Sequence, residues 1–172
     1  MPELTTERLV LRAFTAEDFE AVHAYAADPE VCRHVSWGPN TVEQTRTFLE
    51  EMVTAGGQED RSSFTWAVTV AGAVVGACSV TVSSAEHRRG EMGYALARTA
   101  WGHGYATEAA AVVLKFAQTR LGLARVEATC RPGNAASAGV LRKIGMQQEA
   151  LMRSHLIIRG RREDSLLFAA VS

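Results

Sequence analysis

The stretch Glu91–Ala110, EMGYALARTAWGHGYATEAA, decides how this chain is read: a strand-like run passes into a loop carrying Gly102 and Gly104, and the loop opens a helix. Two glycines so placed let the backbone turn left-handed and expose successive N–H groups. A helix starting near Tyr105 brings its positive dipole end to the same point. The result is a cradle for a phosphorylated cofactor, with a pyrophosphate as the natural guest. A phosphate-loop NTPase is excluded, because no Lys-Ser or Lys-Thr follows the glycines to meet a nucleotide and its magnesium. The dinucleotide fingerprint also fits badly, since its third glycine would fall where Thr107 stands and the preceding strand is not the first of an alternating set. For the loop taken alone, an ordinary strand-to-helix turn stays open as the plain alternative.

Working outward, the 172 residues suffice for one well-buried core, and no Gly/Ser/Pro-rich linker divides them, so a single domain over residues 1–172 is expected. The N-terminal segment lacks the basic start and apolar run of an export signal, and no later run is long enough to span a bilayer; a soluble, cytoplasmic protein is expected. Three widely spaced cysteines, Cys32, Cys78 and Cys130, form no CxxC pair, which argues against both a disulfide framework and a metal site. The 18 basic and 19 acidic residues nearly cancel. That balance steers the chain neither to nucleic acid nor to an anionic membrane, and it is compatible with a homodimer.

A coarse pass gives a first strand around Leu4–Arg12, then Thr15 as N-cap of a helix over 16–26. Asp28-Pro29 interrupts, and Thr41 with Gln44 makes a capping box for a helix to about Thr54, ended by Gly56-Gly57. Residues 64–70 and 73–82 are β-rich and flank Ala71-Gly72, a hairpin turn. Strand 91–96, helix 106–120 and strand 123–130 form a crossover unit. Asn134 caps a helix through Ile144, stopped by Gly145, and two last strands, 152–158 and 165–171, are joined by a charged loop at Gly160. These elements make a mixed sheet flanked by helices.

The loop has a companion in NAASAGVLRKIGM, Asn134–Met146, which places an Asn and a Ser three apart at a helix start and a glycine at its end. Together the two segments resemble the GNAT superfamily of acetyl-CoA-dependent N-acetyltransferases. The opening TTERLVLRAFTAEDF, Thr5–Phe19, is similar to the branch containing the ribosomal-protein N-terminal acetyltransferases. The resemblance spans about Leu4 to Ala169. It implies an α+β GNAT fold: a mostly antiparallel mixed sheet of about seven strands, splayed at its centre, with helices on both faces.

The resemblance further implies that Leu96 and the loop Trp101, Gly102, His103, Gly104, Tyr105, Ala106 and Thr107 bind the cofactor, the loop wrapping the CoA pyrophosphate with backbone N–H groups. Trp101 and His103 depart from the basic or glutamine side chains usual in that loop, and a mostly neutral His supplies less charge. Asn134 matches the residue that contacts the pantetheine arm, and Ser137 a position near the CoA sulfur. The alternative is that Asn134 is only an N-cap and Ser137 only a small helix residue.

On strand 91–96, Glu91, Gly93 and Ala95 share one face, so a thioester can approach closely beside a carboxylate. Acetyl transfer needs an uncharged amine, hence a proton acceptor, and Glu91 is the candidate, directly or through water. Its bland reading is a charged strand end. Glu108 is the poorer candidate, because at a helix start it can simply complement the dipole. Trp37, Trp66, His155 and Arg159 are candidates for the acceptor pocket with structural alternatives. A Cys78–His87 acetyl-enzyme is disfavoured, because Cys78 lies within an apolar strand. Expected partners are therefore acetyl-CoA and a primary amine, with no metal; the acceptor is a protein N-terminal α-amine or a small molecule such as an amino acid, polyamine or antibiotic. A non-catalytic CoA-sensing module and a plain protein-interaction domain are the remaining readings.

Overall fold

A computed structural model describes residues 1–58 and 60–172. The chain opens with β1 (Leu4–Thr5) and β2 (Val10–Arg12), which pair antiparallel around the turn at 6–9. Thr6 makes that turn: its hydroxyl accepts from the Leu9 N–H at 3.0 Å, so the first strand expected from sequence is broken in two. This raises the strand count from the expected seven to eight. A short 3-10 turn at Ala16–Asp18 then leads into α1 (Phe19–Ala26).

After α2 (Pro29–Cys32), α3 (Val42–Gly57) starts at the expected capping box, with Gln44 N–H donating to the Thr41 hydroxyl at 3.2 Å and Thr41 N–H to Gln44 Oε1 at 2.8 Å. The helix runs through Gly56-Gly57 rather than stopping before them. Glycine weakens a helix by roughly 1 kcal/mol; here the Gly56 carbonyl is held by the Met1 ammonium and by Arg61, each at 3.2 Å. β3 (Ser63–Val70) and β4 (Ala73–Ser84) form the expected hairpin, closed by Ala71 and Gly72 at φ 47° and 84°.

β5 (Arg89–Leu96), α4 (Tyr105–Thr119) and β6 (Arg125–Cys130) make the expected crossover. α5 (Ala135–Lys143) follows, then β7 (Gln147–Ile158) and β8 (Arg161–Val171). These two strands are longer than expected, because Arg161–Asp164, read as loop from its charge, continues β8 on a half-exposed hairpin. The sheet order is β1-β2-β3-β4-β5-β6-β8-β7, with β5–β6 the parallel pair and the other pairs antiparallel.

Strand alternation sends side chains into two layers. Trp66, Val68, Cys78, Val80, Met92, Val126 and Phe168 pack beneath α4 and α5, where Trp66 is fully buried and meets Phe64 and Phe116. Trp66 is thus core and not pocket, its indole N–H held by the Pro2 carbonyl at 2.8 Å. The other face packs Ala67 and Ala77 against Val22, Tyr25, Phe48 and Leu49 of α1 and α3. Among the described residues no helix is long and apolar enough to cross a membrane.

α1 is tied to β2 by Arg12 and the buried Asp18, whose two carboxylate oxygens take Arg12 N–H groups at 2.7 and 2.8 Å while one also accepts from Thr15 N–H. Burial pushes the Asp18 carboxyl up, but the hydrogen bonds from Arg12 and Thr15 outweigh it and leave the pKa below its ordinary value near 3.8. A carboxylate depressed in the folded state stabilises above its unfolded pKa and loses that contribution as pH falls through the folded one. Asp18→Asn is therefore expected to lower the melting temperature at pH 7 and to cost progressively less below about pH 4; melting curves across that range check it.

Candidate active site

The parallel pairing of β5 and β6 covers only Arg89↔Arg125, Gly90↔Val126 and Glu91↔Glu127. Beyond it β5 stays with β4 as far as Leu96, and β6 stays with β8 as far as Cys130, so the two strands diverge. The facing backbone groups of Met92–Leu96 and Ala128–Cys130 have no strand partner. Backbone N–H and C=O groups do not stay unpaired in a buried setting, so this gap calls for a ligand that bonds as a strand would.

At its open end lies the glycine loop. A 3-10 turn at Arg98–Ala100 precedes Trp101, whose indole N–H donates to the Leu96 carbonyl at 2.9 Å. Gly102 and Gly104 take φ of 79° and 80°, and a Cβ at Gly102 would meet nothing within 4 Å. Gly104 caps α4, and Glu108 N–H is bonded back to its carbonyl at 3.1 Å, so the amides of Tyr105, Ala106 and Thr107 form the open first turn. His103 stacks on Tyr105 at 5.4 Å. The backbone, with exposed glycines and a helix N-terminus, thus has the form that fits a pyrophosphate.

Sequence reasoning missed the brace behind this loop. Arg8 donates to the His103 carbonyl at 2.9 Å, lies over the Tyr105 ring and pairs with Glu108 at 2.6 Å. Glu108 also accepts from the Thr6 hydroxyl at 2.5 Å and from Arg8 N–H at 3.0 Å. Burial pushes the Glu108 carboxyl up, yet these hydrogen bonds hold it below its ordinary value. A carboxylate so engaged positions the loop and is a poor proton acceptor.

Across the gap, Asn134 Oδ1 accepts from Ser137 N–H at 3.1 Å, so Asn134 is an N-cap as well as a cavity-lining side chain. The Tyr94 hydroxyl, reaching over from β5, lies 3.0 Å from Ser137 Oγ and 3.1 Å from the Ser137 carbonyl. Burial keeps Tyr94 far above its ordinary pKa, so it stays protonated. Its pairing with Ser137 had no sequence signal, because the two residues are 43 positions apart. Cys130 faces the same cavity and is pushed up by burial. Cys78 is fully buried with its thiol pushed up to about 12, which suits an inert core thiol.

The cavity, about 940 Å³, continues from the gap into a second half walled by α1, α3 and residues 34–38. Gly93, Ala95 and Ser79 form its floor, Trp37 and Phe48 add aromatic surface, and Glu43 and Glu51 stand on α3. Arg159 does not line it; its guanidinium donates to the Cys32 carbonyl at 2.7 Å and the Gly38 carbonyl at 3.0 Å, clamping the wall in place. His155 is held by Ser165 at 2.7 Å and also lies outside the lining.

Glu91 shares the face of Gly93 and Ala95 but sits two residues back, at the vertex, exposed and outside the cavity lining. Two strand residues span roughly 6.5 Å, a reach that a Glu side chain and one water cover. Its neighbour Glu127 is held by Arg125 at 2.6 Å and Arg89 at 3.4 Å, whereas Glu91 makes no ion pair among the described residues. Among the described residues no three His, Cys, Asp or Glu side chains group to hold a metal ion.

Residues 8–147 match the family described as acetyltransferase (GNAT) domain. The chain is 33% identical to a Bacillus licheniformis protein, the uncharacterised N-acetyltransferase p20, over 98% of this chain and 96% of that one. Among solved structures, a GNAT-family acetyltransferase from Bacillus anthracis superposes with a TM-score of 0.88 at 30% identity, covering 99% and 98% of the two chains. RimL, a ribosomal-protein alpha-N-acetyltransferase solved in complex with coenzyme A, matches with a TM-score of 0.87 at 18% identity over 99% and 98%, a likeness of fold alone. The chain belongs to the GNAT acetyltransferase family and is an acetyl-transfer enzyme. Its α+β, centrally splayed sheet is the fold the sequence implied.

His34, at the second half of the cavity, is held below its ordinary pKa by burial first and then by the charges of Arg33 and Arg131. An NMR titration is expected to place it below about 6.5. Arg131→Met removes one of the two repelling cations and is expected to move it upward; an unmoved His34 refutes the coupling.

Proposed function

We propose that this enzyme moves the acetyl group of acetyl-CoA to a primary amine by direct attack in a ternary complex. The observation that carries the proposal is the gap between β5 and β6, bordered at one end by the glycine loop and across it by Ser137. Acetyl-CoA, when bound, supplies a thioester whose carbonyl is attacked and whose thiolate leaves.

Gly102, Gly104 and the first amides of α4 hold its pyrophosphate, with Leu96, Trp101, His103, Tyr105, Ala106 and Thr107 around it. The gap-facing backbone groups of Gly93–Leu96, apart from the Leu96 carbonyl that Trp101 holds, together with Asn134 hold the pantetheine arm. Small side chains at Gly93 and Ala95 leave room for the reacting carbonyl, and the gap-facing N–H groups of Tyr94 and Leu96 can stabilise developing negative charge. Glu91, which makes no ion pair among the described residues, accepts the amine proton through water. Ser137 Oγ, backed by the always-protonated Tyr94 hydroxyl, donates to the leaving sulfur. A thiolate with a pKa of about 8.5 needs only modest help, so Ser137 assists rather than carries the step.

RimL is named for transfer to a protein α-amine. We take a protein N-terminal α-amine as the first acceptor class; a small-molecule amine is the second, favoured by the fixed wall that bounds the cavity at residues 34–38.

Gly104→Val forces a β-branched residue into φ 80° and blocks the close approach of the backbone. It is expected to weaken acetyl-CoA binding about tenfold or more in calorimetry, ~1.4 kcal/mol. Unchanged affinity removes the cradle.

Glu91→Gln is expected to lower turnover on the order of 100-fold, chiefly at pH below the pKa of the acceptor amine, and Ser137→Ala roughly tenfold with little change in acetyl-CoA affinity. Mass-spectrometric screening of amine acceptors with steady-state kinetics reads both. Tight acetyl-CoA binding with no turnover on any amine points to a CoA sensor instead.

A further inference from the structure

Arg131 follows β6 at the mouth of the gap and lines the cavity with only 7% of its surface exposed. It is the only buried cation among the described residues. Its Nη1 is enclosed and has no hydrogen-bond partner; Glu163 of β8 is the carboxylate that acts on its charge, but no carboxylate comes within ion-pair distance of it among those residues. Asp18, the other buried charge, shows the usual arrangement, with both oxygens paired to one guanidinium.

A guanidinium remains charged at every physiological pH, and holding it in a poorly solvated place with no carboxylate bonded to it destabilises the fold. Burial accordingly pulls the Arg131 pKa down. The side chain cannot neutralise itself, so the cavity keeps a fixed positive charge with donors to spare. The group that satisfies such a fork best is a carboxylate, which takes two parallel N–H bonds.

The cofactor has no evident claim on this charge. Its pyrophosphate cradle lies at the start of α4, none of whose loop residues lines the cavity, whereas Arg131 acts on His34 in the half walled by residues 34–38. Resting on the acetyl-transfer reading of the cavity, we infer that Arg131 is a specificity residue that binds a carboxylate of the acceptor, set close to the amine that is acetylated. The carboxylate is the α-carboxylate of a free amino acid or an acidic side chain next to the N-terminus of a peptide. Acceptors without one, such as polyamines, leave the guanidinium unpaired and are rejected by that deficit.

Calorimetry on the CoA-saturated full chain tests this without turnover. One arm compares the twenty N-acetyl amino acids with their carboxamides; the other compares N-acetyl tripeptide amides carrying Asp or Asn at the second residue. In one arm the carboxylate member is expected to bind at least tenfold more tightly. Arg131→Met is expected to erase that preference and Arg131→Lys to retain part of it, with acetyl-CoA affinity unchanged within twofold. Arg131→Met is also expected to hold or raise the melting temperature, whereas a residue kept for structure would lower it. Equal binding of the paired probes, no binding of any probe, a preference that survives Arg131→Met, or an equal loss of acetyl-CoA affinity overturns the inference. Carboxylate preference without acetylation of any amine leaves the anion site standing and removes the catalytic reading instead.

Discussion

Two neighbouring strands that begin as a pair and are then pulled apart set the terms for everything else in this molecule. β5 and β6 share three residue pairs and then follow different partners, β4 on one side and β8 on the other. Because both outer ladders are complete, neither strand can return to close the gap without breaking its own. Gly90 makes the shared start feasible: a side chain there would lie 2.5 Å from Leu123 and 2.8 Å from the Thr81 carbonyl oxygen. The hydroxyl of Tyr94, bonded to the first turn of α5, then fixes the opening from the far side.

This division explains the allocation of roles. The face under α4 and α5 is a packed aromatic and aliphatic core, and it holds both helix starts that frame the gap. The opposite face is lined by small side chains and covered by α1 and α3, leaving a cavity where an acceptor can lie beside the thioester. Charge is handled differently at the two ends. Among the described residues, Glu127 at the vertex is neutralised by two arginines while Glu91 beside it makes no ion pair, and Arg131 at the mouth has no carboxylate bonded to it.

What the sequence made legible is what is encoded within a few residues. The Thr41–Gln44 capping box, the Ala71-Gly72 turn, the Gly102/Gly104 loop and the Asn134 cap on Ser137 each depend on side chains at most three positions apart, and each formed as read. The resemblance carried the splay. Contacts between distant segments left no such trace: Tyr94 to Ser137, Arg8 to the loop carbonyl 95 residues away, and the isolation of Arg131. Local charge also misled, since Arg161–Asp164 looks like a loop and is strand, stabilised by its ladder to β7 and not by burial. Trp66 and Trp37 were alike in sequence, and only tertiary packing separates a core residue from a pocket wall.

The Arg159 clamp has a consequence for the order in which the enzyme becomes whole. It joins the tip of the β7–β8 hairpin to carbonyls 127 and 121 residues earlier, so the wall around residues 32–38 is fixed only when that hairpin has been made and docked. The cofactor half waits on the same hairpin, because β6, on the far side of the gap, takes its outer ladder from β8, Arg161–Val171. The clamp that shapes the acceptor wall and the ladder that holds the gap open therefore come from one hairpin, so selectivity and cofactor grip are acquired together.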